Sequence, residues 1–94
     1  MNQHTANNGL FVSKGGNPIT ELRKVGKEIC LYTEDPEVFR RFSSSKFLVK
    51  IVTYQNYKAE IYAHDLYFPG RQKARIIKML KKQPSVAGKT EFFR

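Results

Sequence analysis

A chain of 94 residues has room for one domain but little room for a deep catalytic cleft, because a domain this small buries only about 60% of its unfolded surface. Seventeen Lys and Arg against eight Asp and Glu give a net charge of +9, which points to a polyanionic partner such as nucleic acid or an acidic protein. The single cysteine, Cys30, excludes an internal disulfide framework and a cysteine-rich zinc site, and no apolar run approaches the ~18 residues of a membrane span.

Residues 1–9 (MNQHTANNG) are polar and have neither the cationic start nor the apolar run of a secretory leader. A disordered tail is expected there, on a cytoplasmic protein whose residues 10–94 form a single α+β domain. Leu10 to Val12 reads as a short edge strand, followed by a loop at Gly15, Gly16 and Pro18. Residues 17–26 admit two readings. Ile19, Leu22 and Val25 recur every third residue before Gly26, which favours a short helix; the turn Gly26-Lys27 leading into EICLYT instead allows a hairpin. The helix is the preferred reading.

Residues 28–33 form a strand on their β-branched and aromatic content. Asp35 then caps a short helix, with Pro36 at its first position and Glu37 at the positive end of its dipole. Residues 46–54 and 58–68 read as paired strands. A three-residue loop between them would place Phe47, Val49, Ile51 and Thr53 beside Ala59, Ile61 and Ala63 on one apolar face. The other face would then carry Lys50, Tyr54, Lys58, Tyr62 and His64. A two-residue loop would reverse this and bury His64 and Glu60, at ~1–3 kcal/mol each if unpaired.

Pro69-Gly70 ends the second strand, and RQKARIIKMLKK follows, with six cations and no acid in residues 71–82. At about 100° per residue, Ile76, Ile77 and Leu80 share one side while Arg71, Arg75, Lys78 and Lys82 form a stripe on the other. Like charges at this spacing repel by ~0.2–0.5 kcal/mol per pair, so the missing anions are expected on another molecule. From Pro69 onward eight cations face one acid, a net +7, against only +2 for the 68 residues before it. A last strand is expected over residues 90–93. From residue 28 the order is βαββαβ, which predicts a ferredoxin-like α+β fold: a small antiparallel sheet with both helices on one face, preceded by a short N-terminal strand or helix.

Two surfaces are candidates for function. The stripe of Arg71, Arg75, Lys78 and Lys82, helped by Lys81 and Arg94, has the spacing to meet several backbone phosphates at once. The open sheet face, with Tyr54, Tyr62, Lys50 and Lys58, has the chemistry to stack unpaired bases. The second arrangement shares its logic with the RNA-recognition motif, but KAEIYAHDL lacks that family's glycine and aromatic spacing, and no family is assigned. The bland readings are a solvated charged helix and ordinary strand-forming tyrosines.

Catalysis finds no support in the sequence. Glu60 and Asp65 face opposite ways if they share a strand, and Glu34, Asp35 and Glu37 are explained by the helix start. The Gly15-Gly16 pair lacks the Lys and Ser or Thr of a phosphate loop. A non-catalytic nucleic-acid-binding protein, DNA or RNA, without metal or cofactor is therefore expected. The rival is a protein-binding module, a small inhibitor or accessory subunit, docking an acidic partner or pairing as a homodimer.

Overall fold

In a computed structural model of the chain, residues 9–13, 18–83 and 90–92 are described, the outer strand segments 9–13 and 90–92 by their backbone alone. The elements are β1 (Gly9–Ser13), β2 (Thr20–Val25), β3 (Glu28–Thr33), α1 (Pro36–Ser43), β4 (Lys50–Gln55), β5 (Ile61–Pro69), a 3₁₀ turn (Gly70–Gln72), α2 (Lys73–Lys81) and β6 (Thr90–Phe92). Residues 1–8 of the expected tail lie outside the described residues, and Gly9 already belongs to a strand.

The chain is a small α+β protein in which every strand pairing is antiparallel, in the order β4-β5-β3-β2-β1-β6. This departs from the ferredoxin-like order, in which β6 would lie beside β3. Instead β2 occupies that edge, and β6 pairs with β1 on the far side. Loop closure explains the preference: a two-residue connection from β2 to β3 costs far less chain entropy than bringing back a strand from beyond α2. In place of the helix expected over residues 17–26, Thr20–Val25 form a strand and Gly26 opens a turn, while residue 17 lies outside the described residues. Gly26 sits at φ +62°, in the left-handed region that a tight hairpin turn requires.

The core forms on one side of this sheet. Leu22, Leu31 and Leu66 stand in one cross-strand row and Ile29 pairs with Phe68 in the next, all fully buried. Val38 and Phe42 of α1 and Ile76 and Leu80 of α2 close over them, so both helices lie on the same face, as expected. Asp35 caps α1 as its sequence implies, its Oδ1 accepting from the Glu37 amide at 2.9 Å. Its own amide donates to Thr33 Oγ1 at 3.0 Å, and that hydroxyl meets Thr20 Oγ1 at 2.8 Å. Among the described residues no helix is long and apolar enough to cross a membrane.

The β4–β5 register differs from expectation. The loop spans residues 56–60, and Lys50 pairs with Tyr67, Ile51 with Leu66 and Thr53 with His64. Asn56 builds this loop: its Oδ1 accepts from the amides of Lys58 at 2.8 Å and Glu60 at 3.0 Å, and its amide donates to the Glu60 carbonyl at 2.9 Å. Ala59 takes a left-handed φ of 65° to close it. The result is the facing that a two-residue loop would give. His64 turns to the helix side, where its ring stacks on Phe39 at 3.8 Å, and this contact offsets its burial.

Gly70 supplies a test of the packing. Its amide donates to the Lys27 carbonyl at 2.9 Å, and a Cβ there would lie 2.7 Å from that same oxygen. Gly70→Ala should therefore cost about 1–3 kcal/mol. Gly26→Ala, whose new methyl meets nothing within 4 Å, should cost only the ~1 kcal/mol of its left-handed backbone. Urea unfolding of the two variants checks the order.

Candidate functional site

α2 begins immediately after the 3₁₀ turn, has no acid in its first turn, and has no side chain capping its N-terminus. Ile76 and Leu80 are buried, while Lys73, Arg75, Lys78, Lys81 and Lys82 are all exposed. The stripe read from the sequence is thus brought to the surface with two changes of setting. Arg71 lies in the 3₁₀ turn, and Lys82 follows the last helical residue. At the helical rise, Arg75 and Lys78 are ~4.5 Å apart along the axis and Lys78 and the C-cap Lys82 ~6 Å, close to the axial spacing of one or two phosphates in a strand. Among the described residues, no carboxylate lies within ion-pair distance of Arg71, Arg75, Lys78 or Lys82. Arg94 lies outside the described residues.

The fold adds cations that helical periodicity does not reveal. Residues 46–49 are a loop rather than the start of β4, and this loop carries Phe47 against the flank of α2. The Arg75 guanidinium sits 5.3 Å from the Phe47 ring centre and the Lys46 ammonium 5.5 Å from it, each a cation–π contact of ~0.5–1 kcal/mol at such exposed positions. Arg41 of α1, with Ser44 and Ser45, completes a shallow cleft of about 250 Å³ beside them. A second cleft, of about 370 Å³, gathers Lys24 of β2 and Lys27 of the β2–β3 turn with Arg71 and Lys73. Both are open to solvent and rimmed by cations, unlike the enclosed site of a small molecule. Both suit a ligand that lies across a surface. The only trace of Lys46 in the sequence is its place in SSSKF, after the helix ends.

The other face of the sheet is not the open platform expected. Lys50, Val52 and Tyr54 do share it, but with Ala63, Asp65 and Tyr67 rather than with Lys58 and His64. Tyr32 is buried there, and its hydroxyl donates to Glu34 Oε2 at 2.8 Å. Tyr54 donates its hydroxyl to Asp65 Oδ2 and meets the Tyr32 ring edge-on at 5.9 Å. Tyr62 remains half exposed, 6.2 Å from Tyr54. Lys50 lies over Tyr67 at 4.6 Å, and Lys58 belongs to the β4–β5 loop, over Tyr57 at 5.7 Å. The four residues grouped on this face by the sequence reading therefore do not form one stacking surface.

Burial sets the protonation of this face. Cys30, fully buried, has its thiol pushed up to about 12, first by desolvation and then by the Asp65 charge, so it stays protonated and inert. Desolvation, then the bonds to Glu34 and Asp65, raise the phenols of Tyr32 and Tyr54. On the helix side, burial lowers the His64 imidazole below its ordinary value. Glu21 is only 1% exposed, and among the described residues neither of its oxygens has a hydrogen-bond partner. Its carboxyl is raised to about 7, mainly by desolvation, with Arg23 opposing the rise and Asp65 adding to it. Among the described residues no group of three or more His, Cys, Asp or Glu side chains is placed to hold a metal ion.

The chain matches no protein-family model, and no curated protein or solved structure matches it at a significant level.

Glu21 gives a pH test. Its folded value of about 7 lies above the ordinary 4.5, so between these values the folded state holds a proton that the unfolded state releases, and stability falls as pH rises. Relative to the wild type, Glu21→Gln should remove about 1–3 kcal/mol of that fall, read as the difference between urea melts at pH 5 and pH 8. His64 contributes the opposite slope in both proteins and cancels in the comparison.

Proposed function

We propose that the protein binds nucleic acid without catalysis, through backbone phosphates lying across its helix-covered side. Arg71, Arg75, Lys78 and Lys82 supply the contacts along α2, with Lys81 beside them and Arg41 and Lys46 extending the surface toward α1. Support comes from the convergence of Lys46 and Arg75 on the single ring of Phe47, with Arg41 in the same cleft. Cations drawn together repel unless an anion lies between them, and among the described residues no carboxylate is within ion-pair distance of Lys46, Arg75 or Arg41. Guanidinium groups also suit phosphate, which they grip with two parallel hydrogen bonds.

Duplex is the favoured form. Single strands are held by stacked aromatic rings, and here Tyr32 is buried and the Tyr54 hydroxyl is tied to Asp65. A duplex needs only regularly placed charge, which α2 and the Phe47 loop supply. Docking of an acidic protein on the same cations is the competing outcome of the test below.

Binding to duplex DNA should weaken with salt. Four phosphate contacts give a slope of log affinity against log salt of about −3.6, and six, with Arg41 and Lys46 engaged, about −5.4. A slope near zero in a fluorescence titration would remove the proposal. Replacing Arg75 and Lys78 by Glu together should reduce the slope by about 1.8 and weaken binding to all sequences alike. Both residues are exposed, so the melting temperature should hold. Retained affinity in that variant would move the contact away from α2.

A further inference from the structure

β4 ends the sheet, and among the described residues it pairs on one side only, with β5. Proteins blunt such edges with proline, several charges, a central bulge or extreme shortness. β4 has none of these: KIVTYQ carries one lysine and no proline, and its irregularity falls at the last step, between Tyr54 and Gln55. Its side chains are apolar on both faces, with Ile51 40% and Val52 38% exposed, and Val49 and Ile61 beside them at 50% and 59%. An edge of this kind is a template for another strand.

We infer that this edge pairs with β4 of a second copy of the chain, antiparallel, about a two-fold axis perpendicular to the sheet and passing between the two Val52 residues. Symmetry narrows the choice. Directly opposed residues on neighbouring antiparallel strands project to the same face, so a two-fold pairing must centre on one residue and its own mate. Centring on Lys50 would oppose two ammonium groups. Centring on Val52 places Val52 against Val52, Ile51 against Thr53, and Lys50 against the Tyr54 ring of the second copy. Like charges are kept apart, a β-branched pair meets at the axis, and each lysine faces an aromatic ring. The strand is complementary to itself in this register, which favours a second copy over an unrelated strand.

The axis has a geometric consequence. Rotation about a line perpendicular to the sheet leaves its faces unexchanged, so the helices of both copies lie on the same side of one continuous sheet. Two cationic surfaces would face one way.

Sedimentation equilibrium across about 1 µM to about 1 mM protein, in about 0.5 M salt to strip polyanions, tests the inference independently of nucleic-acid binding. A monomer–dimer equilibrium is expected. Val52→Lys should weaken it at least ~10-fold by opposing two ammonium groups at the axis. That lysine would still lie across from Asp65 within its own chain, so the melting temperature should be kept. Val52→Cys should yield an oxidised covalent dimer, with the native thiol of Cys30 fully buried and out of competition. A wild-type monomer throughout the range overturns the pairing. So does a dimer that a folded Val52→Lys variant leaves intact.

Discussion

One row of leucines fixes the arrangement of everything else. Leu22, Leu31 and Leu66 stand side by side at the centre of the sheet, and among the described residues the Val38–Phe42 side of α1 and the Ile76–Leu80 side of α2 cover them. At ~25 cal/mol per Å² of buried apolar area, this packing outweighs the mutual repulsion of a helix carrying cations and no acids. With Ile76 and Leu80 committed inward, the helical repeat leaves Arg75 and Lys78 no direction but outward. Display of charge is thus a by-product of burial.

The carboxylates are distributed in a way that preserves this display. Asp35 caps α1, Glu37 pairs with Arg40 on that helix, Glu34 holds the Tyr32 hydroxyl and the Ile19 amide, and Glu60 is bound by Asn56. Asp65 and Glu21 lie on the sheet face opposite the helices, buried among Tyr32, Tyr54 and Cys30. The two buried acids, Asp65 and Glu21, thus lie across the sheet from the exposed cations of α2.

Legibility in the sequence followed the strength of local signals. The cap at Asp35, the start at Pro36 and the apolar side of α2 were readable because each depends on residues within a turn or two. The β2–β3 hairpin was legible only as the less favoured of two readings, because Ile19, Leu22 and Val25 fit a helical repeat as well as a strand, and only pairing with β3 decides between them. The β4–β5 register failed for a related reason. β4 is an edge strand exposed on both faces, so its apolar residues carry no preference for either, and the side-chain bonds of Asn56 set the alignment instead. Of the candidate surface, α2 was visible as a pattern. Arg41, Lys46 and the Phe47 ring that joins Lys46 to Arg75 come from separate segments and are neighbours only after folding.

The contact between Gly70 and Lys27 reaches further than local packing. Because the Gly70 amide holds the Lys27 carbonyl, with no space for a methyl group between them, the tip of the β2–β3 hairpin is stitched to the start of α2 by main chain alone. Lys27 and Arg71, distant in the sequence, are mounted on the two sides of that stitch and share a cleft. The spacing of their backbone attachment points is thereby set without any side-chain contact. The two cations of this cleft therefore spring from anchors that a single main-chain bond keeps in register.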